Sequence, residues 1–132
     1  MHWHLDPKLS KERETMALSK DQILKAIDAN TIEFEIAEWG GSILLRGMTG
    51  KARNEYEFWA SSQNKNDVAD FRGIRERLII SCAVDDNGEP LFTLDEVDEL
   101  AAKNSEIIDR IHAKCQEICG MSPGSVEEAE KN

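Results

Sequence analysis

The side chains best suited to chemistry lie near the C-terminal end of the chain. His112, Cys115 and Cys119 stand at positions i, i+3 and i+7, so one face of a helix could present the imidazole and thiol ligands that zinc prefers. A closed zinc site needs a fourth ligand, and the sequence has no CxxC or HxxxH pair to supply it. Cys115 also falls in an apolar stripe, where a cysteine behaves as a small hydrophobic residue. We therefore predict a packed helix here and no metal site.

Other catalytic arrangements have less support. His2 and His4 form only a two-ligand fragment in a polar segment. Because His112 is the one histidine outside that segment, no Ser or Cys nucleophile has both a base and an orienting group. Gly47–Lys51 lacks the GxxxxGK[ST] spacing of a phosphate-binding loop and is better explained as a turn followed by a helix cap. The sequence therefore predicts neither an enzyme nor a cofactor-binding protein.

Length and charge restrict the possible partners. The 132 residues are enough for one domain with its own core. The 26 acidic and 16 basic residues give a net charge of −10, which argues against nucleic acid and anionic membranes as partners. No apolar run is long enough to span a membrane, and the 3 cysteines do not suggest a secreted disulfide framework. These features predict a soluble cytosolic protein with reduced thiols.

The acidity is concentrated at the C-terminal side. Residues 85–132 carry 13 acidic and 4 basic side chains, whereas residues 1–84 carry 13 acidic and 12 basic ones. A solvated helical surface explains this distribution, and an electrostatic docking surface for a basic partner is the alternative.

Local patterns divide the chain into three parts. Residues 1–15 are polar and aperiodic, so we expect a disordered leader. Lys11-Glu12 can be encoded as a ribosome-binding sequence, and the natural start is then expected at Met16. Residues 16–121 are predicted to form a single α+β domain, and residues 122–132 an acidic tail that frays.

The clearest strand signal is an alternation of apolar and polar residues. Ile32, Phe34 and Ile36 fall on one face of this strand. Trp39-Gly40-Gly41 then supply a reversal before a returning strand, which predicts an antiparallel β-hairpin over about 31–47. A two-stranded hairpin is marginally stable alone, so helices or a second copy must cover its apolar face.

Helical periodicity dominates the remaining sequence, and the predicted fold class is α+β. We expect the small antiparallel hairpin to pack with four to six α-helices, mostly in the C-terminal two-thirds. The first four predicted helices cover residues 20–29, 49–61 and 68–82, and a segment starting at Thr93. Ser19 with Gln22 is the predicted capping box of the first, and Thr49 is the predicted cap of the second. In the second, Phe58 is placed on the same side as Tyr56 and Trp59, and in the fourth Leu94 is placed inward. A fifth helix begins at the cap Asn104 and ends at Gly120, and a short acidic one follows Ser122.

Two apolar surfaces are larger than the area that such short helices can be expected to cover. One is the strand face, and the other is the stripe of the fifth helix, formed by Ile107, Ile108, Ile111, Cys115 and Ile118. Trp39 at the hairpin tip is either a contact residue or a packing residue. We therefore expect concentration-dependent homo-oligomers. The candidate residues for the partner or self-association surface are Trp39, Ile32, Phe34, Ile36, Ile107 and Ile111.

Three segments, in order, are similar to those of a known family. They are Glu38-Trp39-Gly40-Gly41 leading into Arg46–Arg53, then Val84–Phe92, then the acidic ending Ser125–Asn132. The chain resembles the tail assembly chaperones of long-tailed bacteriophages and prophages over about residues 18–132.

This resemblance implies a non-enzymatic late protein of the host bacterial cytoplasm that is absent from the mature virion. Such a protein binds the tape measure protein, keeps it soluble and helps recruit tail tube subunits. The resemblance also implies an α+β fold, self-association, and a longer form made by ribosomal frameshifting. Glu130-Lys131-Asn132 can be encoded as a slippery heptamer, as such a frameshift requires.

A different class of protein also fits the acidic composition. It is an acidic adaptor or inhibitor that mimics nucleic acid and occupies a DNA-binding protein. Competition with DNA would identify such a mimic, whereas a chaperone would keep its client in solution.

Overall fold

A computed structural model of the chain describes residues 17–65, 68–69 and 72–121. The described part has an α+β fold, as predicted from the sequence. The leader 1–15 and the tail 122–132 of the sequence prediction lie outside the described residues. The helices are α1 (Lys20–Lys25), α2 (Gly50–Ser62), α3 (Ile74–Cys82), α4 (Val97–Ala101) and α5 (Ser105–Ile118), and 3-10 turns cover Ala37–Trp39 and Leu94–Glu96. The strands are β1 (Thr31–Ile36), β2 (Gly41–Arg46), β3 (Asn64–Lys65), β4 (Val68–Ala69) and β5 (Ala83–Val84).

The main sheet is antiparallel with the strand order β1-β2-β5. The predicted hairpin is confirmed, with Phe34 opposite Ile43 in its register. Its reversal consists of the 3-10 turn and Gly40, which has a φ of 76° in the left-handed region that glycine adopts most easily. The sequence did not predict β5, which pairs Val84 with Leu44, because two residues are too few to show alternation.

Strand β1 forms one edge of this sheet. Its core-facing residues Ile32 and Phe34 are partly buried, and Ile36 is buried. Glu33 and Glu35 are exposed on the opposite face, where Glu33 accepts a hydrogen bond from the Ser42 hydroxyl at 2.7 Å. The exposed edge of the sheet is therefore an acidic strand.

The core lies where α3 and α5 pack together and against the sheet. Its largest fully buried side chains are Ile36, Leu45, Leu78, Ile79, Ile111, Cys82 and Cys115. Within the described ranges, no helix combines the length and apolar character needed to cross a membrane.

Several helix starts agree with their predicted capping residues. The N–H of Ala52 donates to Thr49 Oγ1 at the start of α2, and Asn104 Oδ1 accepts from the first turn of α5. Ser19 and Gln22 form the predicted capping box of α1. This helix ends at Lys25 rather than at residue 29.

The helix predicted over 68–82 begins later than expected. It starts at Ile74, after Gly73 with a φ of 81°, and Val68 belongs to the two-residue strand β4. The positive φ of Gly73 interrupts the backbone, so the apolar spacing before it does not continue the helix. Phe71, also assigned to that helix, lies outside the described residues.

Two side chains predicted to face inward are exposed. Phe58 is 76% exposed, because two residues after Tyr56 it lies about 200° around the helix from that buried ring. Leu94 is 54% exposed, because the segment after Thr93 begins as a 3-10 turn and becomes α-helical only at Val97.

Candidate interaction surfaces

The structure buries half of the side chains that the sequence analysis assigned to an interaction surface. Ile36, Ile107 and Ile111 are 1%, 6% and 0% exposed. Ile107 and Ile111 belong to the stripe that α5 packs toward α3 within the same chain, and Ile36 of β1 belongs to the same core. This corrects the sequence-based interpretation, since the stripe is part of the monomer's own core. Ile32 and Phe34 are partly buried and pack against that core.

Trp39 remains on the surface, 43% exposed at the tip of the hairpin. The adjacent residue Glu38 accepts a hydrogen bond from Arg110 Nη2 at 2.5 Å, which ties the hairpin tip to α5. This hydrogen bond holds the pKa of Glu38 below its usual value. The indole is therefore presented from a turn that a distant helix anchors.

Trp39 and Phe92 line two neighbouring clefts, with volumes of about 420 and 510 Å³. We call the two together the Trp39–Phe92 cleft. The lining of the first includes the core residues Ile36 and Val84, and Leu91, which is 46% exposed. Besides Trp39 and Phe92, the second is lined by residues of α4 and its flanks, namely Glu96, Glu99, Leu100 and Lys103. Both clefts thus offer aromatic and aliphatic surface next to the main core.

The rim of the Trp39–Phe92 cleft is acidic. Asp85 and Glu96 are engaged with backbone N–H groups of their own turns, the latter accepting from Thr93 at 2.8 Å. Asp86 and Glu99 make no hydrogen bond or ion pair with any described residue. The lining carries one basic side chain, Lys103, among the described residues. Residues 83–102, which contain most of this lining, have 7 acidic residues and no Lys or Arg.

Helix α1 leaves its apolar side chains in solvent. None of its residues is buried, and the helix is only 6 residues long. We call its exposed apolar residues and their neighbours the α1 patch. They are Leu18 (58% exposed), Ile23 (56%), Leu24 (75%) and Ile27 (95%).

The cysteines considered above as possible zinc ligands belong to a cluster of thiols. Cys82 Sγ lies 3.6 Å from Cys119 Sγ, close enough for one thiol to donate a hydrogen bond to the other. Hydrogen bonding and burial raise the pKa of Cys82 and of Cys119, so both remain protonated thiols. In the part of the chain that the structure describes, no group of His, Cys, Asp or Glu is placed to hold a metal ion.

Contacts of the thiol cluster connect the C-terminal end of α5 with the start of α2 and the residues before it. The backbone N–H of Met48 donates to Cys119 Sγ at 3.4 Å, and Arg53 Nη1 donates to the Cys119 carbonyl at 3.1 Å. Gly47 lies so close that an added Cβ would stand 3.0 Å from the Ile118 carbonyl oxygen. The segment Gly47–Lys51, considered above as a phosphate-binding loop, is therefore a packed connection and the cap of α2.

His112 is 7% exposed, and its Nε2 has no hydrogen-bond partner. Burial lowers its pKa below the ordinary 6.5, so the unfolded chain binds this proton more readily than the folded chain does. We expect the free energy of unfolding to fall as the pH drops below about 6.5. Urea denaturation of the wild type and of His112→Gln at about pH 7.5 and about pH 5 measures this contribution. Equal pH dependence in both proteins would contradict it.

Sequence reasoning missed most of the cleft's walls. Leu91 and Phe92 were named only as the end of the Val84–Phe92 segment of the family resemblance. The acids of residues 85–132 were explained as a solvated surface, with a docking surface for a basic partner as the alternative. The available signal was the apolar pair Leu91-Phe92 between two acidic segments. Residue spacing alone could not predict that this pair lies beside Trp39.

The fold is similar to that of a solved structure, the tail assembly chaperone of bacteriophage HK97, with a TM-score of 0.50. The two sequences are 16% identical, and the similarity covers 88% of this chain and 96% of the HK97 chain. No protein-family model matches the sequence, and no curated protein matches it either. At this level of identity the similarity concerns the fold.

Proposed function

We propose that the protein is a tail assembly chaperone of a long-tailed bacteriophage or prophage. In this role it has no enzymatic activity, binds the tape measure protein in the host bacterial cytoplasm and keeps it soluble. It helps to recruit tail tube subunits and is absent from the mature virion. The observation that carries the proposal is the fold similarity to the HK97 chaperone over 96% of that chain.

The motif segments add support from their location. The segments around Glu38–Gly41 and Val84–Phe92, on which the family resemblance depends, both contribute to the lining of the Trp39–Phe92 cleft. A chaperone needs exposed apolar surface for its client and charge to keep the complex in solution. The cleft and its acidic rim meet both needs.

We also propose that the protein self-associates, and the exposed α1 patch is the candidate surface for this. A helix of 6 residues is too short to be stable without tertiary contacts, yet no side chain of α1 is buried in its own chain. Packing the α1 patch against another copy would supply those contacts. We therefore assign homo-oligomer formation to the α1 patch rather than to the isoleucine stripe of α5.

Co-expression with a tape measure protein fragment that is insoluble alone tests the proposed function. We expect the fragment to move from the pellet to the supernatant and to co-purify with the protein. An unrelated acidic protein of similar size serves as the control, because net charge by itself can raise solubility.

A fragment that stays in the pellet would contradict the proposed function. If the protein then displaces DNA from a DNA-binding protein, the alternative function, a nucleic-acid mimic, replaces the proposed one. Sequencing the end of the gene tests the proposed function separately. We expect a slippery heptamer at the codons for Glu130–Asn132, at which frameshifting makes a longer product.

A further inference from the structure

We infer that the Trp39–Phe92 cleft is the client-binding site and that it takes a basic amphipathic helix. The inference rests on the proposed function for the identity of the client, and on the cleft itself for the client's chemistry. That chemistry is an apolar helical face flanked by Lys or Arg side chains.

The cleft offers exposed apolar side chains above a buried apolar floor. Trp39 and Leu91 are 43% and 46% exposed beside the buried Ile36, Val84 and Leu100. A half-exposed tryptophan over an apolar floor is typical of the residues that dominate binding energy in protein interfaces. Two adjacent clefts also suit a helix, whose apolar residues recur on one face at i, i+3, i+4 and i+7.

Charge determines which helix fits. The lining contains Asp85, Asp86, Glu96 and Glu99 against the single base Lys103. Asp86 and Glu99 form no ion pair or hydrogen bond with a described side chain, so they are available to Lys or Arg on a partner. A basic helix gains this attraction, whereas an acidic helix would be repelled.

The same charges argue against a second copy as the occupant. The exposed apolar segment that another copy would offer is the α1 patch. It carries as many acids as bases, namely Lys20, Lys25, Asp21 and Asp28, and Lys25 already pairs with Asp21 at 3.3 Å. Such a segment gains no net attraction from the acidic rim.

A synthetic peptide of roughly 20 residues provides the probe, with leucines on one helical face and lysines on both flanks. We expect it to bind the full-length protein, with an affinity that falls as salt rises. The same peptide with glutamate in place of lysine is expected not to bind. Trp39→Ala should weaken binding of the basic peptide by about tenfold or more. Neutralising the rim with Asp86→Asn and Glu99→Gln should weaken binding and reduce its salt dependence.

Matched substitutions outside the cleft serve as controls. Phe58→Ala removes an aromatic ring that is 76% exposed on α2, and Glu55→Gln removes an exposed carboxylate of the same helix. Both should bind the peptide like the wild type. Leu91→Ala is a second test of the cleft should Trp39→Ala disturb the hairpin, and the unfolding midpoint of every variant is measured in parallel.

The inference is overturned if the wild type does not bind the basic peptide, or if the cleft variants bind it as the wild type does. It is also overturned if Trp39→Ala abolishes self-association, since a second copy would then occupy the cleft. Co-expression separates this result from the proposed function. When wild type and Trp39→Ala both keep the tape measure fragment soluble, only the site assignment fails. When the wild type cannot do so, the chaperone function fails independently of the peptide result.

Discussion

Ile111→Ala is expected to lower the free energy of unfolding by about 2–5 kcal/mol. Ile111 is 0% exposed, and α5 packs it toward α3 in the centre of the core. Removing its outer carbons loses apolar burial and leaves a cavity that rigid neighbours fill only partly. Urea denaturation followed by circular dichroism measures the change.

Ile27→Ala is the matched control, because the same side chain type is 95% exposed there. At a concentration where the protein is monomeric, we expect this substitution to change stability by less than about 0.5 kcal/mol. Similar losses at the two positions would show that α5 does not pack as described.

The double substitution Leu24→Glu, Ile27→Glu is expected to convert oligomers into monomers. Both side chains belong to the α1 patch and are 75% and 95% exposed, so the folded monomer does not depend on them. Placing two carboxylates in an apolar contact between copies costs their desolvation and adds mutual repulsion. Light scattering over a range of concentrations measures the mass, and circular dichroism checks the fold.

The control for this experiment is Phe58→Glu, which places one carboxylate on an exposed apolar position of α2. It should keep the oligomer of the wild type. An unchanged mass in the α1 double variant would remove the α1 patch as the self-association surface. It would leave the assignment of the Trp39–Phe92 cleft intact.

Local signals predicted much of the fold. The alternation of Ile32, Phe34 and Ile36 gave the hairpin, and the oxygen-bearing caps Thr49 and Asn104 gave the starts of α2 and α5. These signals succeed because a cap or an alternating strand is decided by a few neighbouring residues. The start of α3 was placed too early, because spacing does not show that Gly73 adopts a positive φ.

The interaction surface was harder to predict than the fold. An apolar stripe indicates burial but does not say against what, and Ile107 and Ile111 are buried by α3 rather than by a partner. Conversely, Ile23 and Leu24 of α1 are exposed, although apolar side chains of a helix usually pack against a core. Both differences depend on contacts between segments far apart in sequence, for which a single sequence holds no direct signal.

The edge strand β1 bears on how the protein can accumulate without forming fibres. Two copies could pair their β1 strands antiparallel, with the apolar faces on the same side of the joined sheet. The centre of such a pairing can fall on Glu33 or on Phe34. The first register sets Glu33 opposite Glu33, and the second sets Glu33 opposite Glu35. Like charges directly opposite one another destabilise a strand pair, so one sheet is discouraged from continuing into the next. The acidic strand thus acts as a gatekeeper that opposes open-ended stacking of identical chains into a cross-β deposit.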